Sequence, residues 1–114
     1  MIHHRIGELP QTEIIPGYKA RFVHSDEMTQ VHWEIEAGSA LAEHSHANEQ
    51  IAVVVEGEFV FVVEEEAGPR EIRVRAGECV HLPSNLPHSG RTATGAVILD
   101  CFSPPSETTG VDQR

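Results

Sequence analysis

The sequence predicts a single all-β domain, a sandwich or a barrel, on three observations. Apolar residues alternate with period two or form short runs, and no window of eleven residues carries a helical period. Gly, Pro and acidic clusters interrupt those runs at near-regular spacing, as turns do between short strands. The chain of 114 residues has the size of one domain, 1–114, and buries enough surface to fold without a disulfide or a metal.

The elements follow in order. Arg21–His24 is the first candidate strand. Thr29–Glu36 is the next, with Val31, Trp33 and Ile35 on one face and His32, Glu34 and Glu36 on the other. Two runs, Gln50–Val55 and Glu58–Val63, are divided by a turn at Glu56-Gly57. The cluster Glu66-Ala67-Gly68-Pro69 signals a hairpin. Glu71–Arg75 alternates strictly, so Arg73 and Arg75 belong to a solvated face rather than an anion site, and Glu64–Glu66 reads as a solvated hairpin tip. After a turn at Ala76-Gly77 comes Glu78–Leu82, then the loop Pro83–Pro87, whose prolines cannot serve a central ladder. Ala96–Phe102 closes the set, with Ile98, Asp100 and Phe102 on one face and Val97, Leu99 and Cys101 on the other. The two ends are polar, and the tail from about residue 104 is expected to be flexible.

Composition excludes several classes. Eight Lys and Arg against eighteen Asp and Glu give a net charge of −10, which repels nucleic acid. No apolar run is long enough to span a bilayer, and the first residues carry no apolar signal core, so a cytoplasmic protein is expected. Cys79 and Cys101 lie in apolar runs and read as reduced, buried thiols. A single Lys, Lys19, leaves little scope for Schiff-base chemistry.

The chemistry lies in the histidines, of which there are eight. His44, His46 and Gln50 share parity, so on an extended chain two imidazoles and an amide converge on one face. Imidazole is the commonest ligand of divalent first-row metals, and His-x-His is a compact way to supply two. Glu49, of opposite parity, competes with Gln50 and would need a bulge to turn inward. His88 follows the Pro-rich loop. His3 and His4 lie near the terminus, and His24 and His32 lack ligand spacing; His81, on the strand leading to His88, is a candidate pocket residue. An Asp in the middle of an apolar strand is costly unless it is paired or faces a polar cavity. Asp100 is therefore either bonded to backbone or to an Arg such as Arg21 or Arg91, or else a general acid or base in a pocket.

These residues fall on two motifs. Gly38, His44, His46, Gln50 and Gly57 fit G-x5-H-x-H-x3-E-x6-G with Gln for Glu. Gly77, Pro83 and His88 fit G-x5-P-x-G-x2-H-x3-N, with Asn85 for the Gly and Thr92 for the Asn. With them the sequence resembles the cupin superfamily, motif 1 spanning Gly38–Gly57 and motif 2 Gly77–Thr92. The resemblance implies an all-β jelly-roll barrel, the double-stranded β-helix. It implies one divalent transition metal ion (Zn, Ni, Mn or Fe) held inside by His44, His46, Gln50 and His88. Asp100-x-Phe102-Ser-Pro-Pro, with His44-Ser-His46 and Pro83-x-Asn85-x-Pro87-His88, is similar to the small single-domain cupins of pectin degradation, the KdgF type. That family opens 4,5-unsaturated uronates to linear keto acids. The likeness would make Asp100 the proton carrier and Phe102 a wall of the substrate pocket, with His81 and Arg21 as further candidates. The family usually has an Arg after the two prolines, where this chain has Ser106. Two other readings keep the same cup: an Fe or Mn dioxygenase acting on a diketone or enol, and a non-catalytic binding or sensor module. A homodimer is expected by analogy with small cupins, with Val23, Val31 and Trp33 as its apolar contact.

Overall fold

The computed structural model describes residues 1–106. After a 3-10 turn at Ile6–Glu8 come β1 (Thr12–Ile15), β2 (Tyr18–His24), β3 (Thr29–Ile35), β4 (Ala40–His44) and β5 (Glu49–Glu65). They are followed by β6 (Gly68–Arg75), β7 (Cys79–Leu82), β8 (His88–Arg91) and β9 (Ala96–Ser103). All pairings are antiparallel, and the strands run in the order β1-β2-β3-β9-β5-β8-β4, with β6 and β7 also on β5.

The predicted turn at Glu56-Gly57 is not a break. β5 continues for 17 residues through a register shift between Val54 and Glu56, and Gly57 there adopts φ 73°. A bulge re-aims a strand without ending its pairing. The first half of β5 therefore pairs with β7 and β9, and the second half with β6 and β8. One strand thereby serves both walls, and the sheet curls into a jelly-roll barrel. Gly57 also comes close to the Gly95 carbonyl, where a side chain would collide.

Alternation decides what lies inside. Trp33, Val31 and Ile35 from β3, Phe59, Phe61 and Val63 from β5, and Ile98 and Phe102 from β9 form the core. The expected dimer contact is thus corrected: Val31 and Trp33 are buried within the barrel and cannot meet a partner. The outer face carries Ile51 and Val55 instead, 47 % and 49 % exposed. The thiol expectation also changes, because β7 and β9 turn their cysteines outward: Cys79 is exposed and Cys101 half-buried, both free. Arg73 reaches Glu58 at 3.2 Å and Arg91 reaches Glu71 at 2.6 Å on the exposed face, the solvated arrangement expected there.

Short β4 and β8 escaped the sequence reading, and both edge the site. β8 contains Gly90 for a packing reason: a Cβ there would overlap the ring of buried Phe59 and lie 2.9 Å from the Val60 carbonyl oxygen. Gly90→Ala is expected to destabilise by about 1–3 kcal/mol, the usual cost of overpacking, with chemical denaturation as the measurement. An unchanged midpoint would mean that Phe59 moves aside freely.

The flexible tail expected from about residue 104 is corrected at Ser106. Ser106 is buried, and its N–H donates to Thr29 Oγ1 at 3.0 Å. The rest of the tail, from 107, lies outside the described residues.

Candidate metal centre

Three histidines converge at one end of the barrel from three local settings. His44 ends β4, His46 lies in the loop that follows, and His88 opens β8 opposite His44 in the β4–β8 ladder. His44, His46 and Gln50 therefore do not share one strand, as their parity implied. The loop returns directly into β5, which restores the inward side at Gln50. Motif 2 closes over the same point. Asn85 takes φ 64°, the left-handed conformation that Asn tolerates in place of Gly, and its N–H donates to the His46 carbonyl at 2.7 Å. Thr92, in the place of the motif's Asn, donates through Oγ1 to the Glu58 carbonyl at 2.7 Å.

The ligand atoms of His44, His46 and His88 lie within 4.8 Å of one another, and all three side chains are buried. Each Nδ1 donates to a backbone carbonyl two residues away: His44 to Ala42 at 3.0 Å, His46 to Asn48 at 2.9 Å and His88 to Leu86 at 2.8 Å. A carbonyl can only accept, so each Nδ1 bears the hydrogen and the neutral ring keeps its lone pair on Nε2. Burial lowers the pKa of His88 to about 4. The Leu86 carbonyl opposes this, and neighbouring His44 and His46 add to it. A neutral His88 is what metal ligation requires.

Gln50 is the fourth candidate ligand. Its Nε2 donates to Asp100 Oδ1 at 3.1 Å, which leaves Oε1 facing His46 Nε2 at 3.2 Å. Asp100 Oδ2 accepts the indole N–H of Trp33 at 2.8 Å. Two lone-pair atoms face each other at His46 and Gln50, and a cation between them turns that repulsion into attraction. Three imidazole nitrogens and an amide oxygen fit a divalent first-row ion. Burial raises the pKa of Asp100 to about 7, against the pull of the Gln50 and Trp33 hydrogen bonds.

Other expectations sort by face. Phe102 is buried, with its ring centroid 5.5 Å from that of His46. Glu49 and His81 both point outward and meet each other at 2.7 Å. In the β5–β7 ladder His81 pairs with outward Ile51, while Leu82 beside it pairs with inward Gln50. His81 therefore does not line the pocket. Arg21 does not line it either. It pairs with His32 on the outer face and donates to the carbonyls of Ile6 and Leu9 at 3.1 and 3.4 Å. Neither Arg21 nor Arg91 partners Asp100. Trp33, which does, was read only as an apolar face residue. Its indole N–H needs an acceptor when buried, and that requirement was the signal available. Beside the histidines lies a cavity of about 20 Å³ whose wall includes His44, His88, Gln50, Asp100, Trp33 and Tyr18.

Residues 31–102 match the cupin domain family, and the chain belongs to it. An RmlC-like cupin from Shewanella frigidimarina superposes with a TM-score of 0.80 at 27 % identity, covering 89 % of this chain and 88 % of that one. KdgF from Halomonas sp. gives 0.80 at 22 % identity, covering 89 % and 93 %. Oxalate decarboxylase from Bacillus subtilis gives 0.80 at 23 %, covering 92 % and 30 %. The last two share the fold with this chain. Among curated proteins, the 3-hydroxyanthranilate 3,4-dioxygenase of Xanthomonas euvesicatoria is 37 % identical over 59 residues, 50 % of this chain and 34 % of that protein. The chain thus spans about a third of the length of the curated relatives it matches. Family and histidine cluster together define a cupin with a three-histidine group able to hold a metal ion. Among the described residues no helix is long and apolar enough to cross a membrane.

Proposed function

We propose that the chain is an enzyme that opens or tautomerises a small oxygenated substrate of the unsaturated uronate class, using one divalent ion. The observation that carries this reading is the buried carboxylate of Asp100, one hydrogen bond from Gln50 and lining one cavity with His44 and His88. His44, His46, His88 and Gln50 would hold the ion, which when bound supplies Lewis-acid polarisation of a substrate oxygen. Neutral ligands leave the ion its full charge, which suits an anionic or enol-forming substrate. A cyclic unsaturated uronate and its linear keto form are isomers. Their interconversion takes a proton from a hydroxyl and delivers one to carbon. Asp100 is suited to both steps, as base and then as acid. Phe102 would form the apolar wall beside His46.

A second reading, oxygen-dependent cleavage of an enol or diketone at Fe or Mn, draws support from the dioxygenase relatives. One experiment separates the two. The purified protein is analysed for metal, loaded with zinc or nickel, and assayed without oxygen on a 4,5-unsaturated uronate and on diketones. Isomerisation without oxygen is the expected result. Turnover that requires iron or manganese and consumes oxygen would establish the second reading, and metal binding without any turnover would favour a sensor.

A further inference from the structure

One polar atom on the wall of the small cavity serves neither the fold nor the metal group. Tyr18 is 2 % exposed, and its ring meets Trp33 edge-on at a centroid distance of 5.9 Å. Its hydroxyl has no hydrogen-bond partner among the described residues. Burial holds the phenol well above its ordinary pKa, so the group stays neutral and can donate. A buried hydroxyl without a partner is destabilising, and proteins ordinarily satisfy such groups.

The cavity beside this hydroxyl measures about 20 Å³. Roughly 10–15 Å³ holds one water, provided that at least two polar partners line the space; a purely apolar cavity stays dry. Tyr18 is one such partner. Asp100 is another: each of its oxygens accepts a single bond, from Gln50 or from Trp33, whereas a carboxylate can accept about four. Both residues line the same cavity, together with apolar Phe59 and Phe61.

We propose that this cavity is a built site for a single water molecule, held by the Tyr18 hydroxyl and shared with the Asp100 carboxylate. The water accepts from Tyr18 Oη and donates to Asp100, giving the carboxylate a third hydrogen bond.

The test uses the metal-free protein, so it stands apart from the metal assignment and from the proposed reaction. High-resolution crystal structures of the wild type and of Tyr18→Phe are compared, together with melting temperatures. The expected result is an ordered water within hydrogen-bond distance of Tyr18 Oη and Asp100 in the wild type. It should be absent from Tyr18→Phe, and the variant should melt no higher than the wild type. An empty cavity in the wild-type map would overturn the proposal. So would a water that keeps its place in Tyr18→Phe, or a variant that melts higher because an orphan hydroxyl has gone. Should the variant fail to fold, the wild-type map decides alone.

Discussion

His88→Ala should leave the protein folded and without metal. His88 is 2 % exposed, stands opposite His44 in the β4–β8 ladder, and its Nδ1 is already committed to Leu86. Removing the outer partner of a ligand typically costs about 10–100-fold in metal affinity, so deleting the ligand itself should cost more than about 100-fold. Metal analysis after dialysis is expected to fall from one ion per chain to nearly none. The core is built from Trp33, Phe59, Phe61, Ile98 and their neighbours rather than from the ion, so circular dichroism should still report the β fold. The melting temperature should drop, both from the truncated side chain and from the lost ligand linkage. A full complement of metal in this variant would show that His88 is not a ligand.

Asp100→Asn should lower turnover by roughly 10²–10⁴-fold on an unsaturated uronate, the usual worth of general acid–base catalysis. Metal affinity should fall too, although Asp100 is not among the proposed ligands. Trp33 Nε1 and Gln50 Nε2 both donate to this carboxylate. An Asn offers one accepting oxygen and one donating NH2, so one neighbour must face a donor. Keeping the oxygen on Trp33 turns the Gln50 amide over and presents NH2, not Oε1, to the ion. A loss of about 10–100-fold in metal affinity is the expected scale for such an outer partner. Measuring rate at saturating metal, alongside metal content, separates the two effects. Normal turnover in a fully metallated variant would make Asp100 an orienting group for Gln50 and remove it from the proton path.

Parity within a strand was legible from the sequence, and parity between strands was not. β9 reads directly, with Ile98, Asp100 and Phe102 on one face, and β3 likewise separates Trp33 from His32. Which face is inside depends on partners. Val31 and Trp33 were assigned to an outer contact, and His81 and Arg21 to the pocket, because only the pairings Gln50–Leu82 and Arg21–His32 reveal their sides. Glu49 and Gln50, adjacent on one strand, take opposite faces as their parity requires. β4 and β8 were invisible for another reason. They are four or five residues long, and β8 carries a Gly whose cause is the distant ring of Phe59. The Trp33–Asp100 bond joins residues 67 apart in sequence, beyond the reach of any local pattern.

The four candidate ligands differ in how far their aim depends on the rest of the chain. Each imidazole is steered by a carbonyl two residues away, so the instruction for its orientation travels with the residue itself. Drift elsewhere in the barrel wall leaves those three vectors intact. Gln50 is steered by Asp100, which is steered by Trp33, so its aim is written across three strands. Substitutions on β3 or β9 can therefore retune the fourth position, and with it the reaction, while the histidine cup persists. For anyone seeking new chemistry in this scaffold, the adjustable part lies at Trp33, Gln50 and Asp100, and the conserving part at the three histidines.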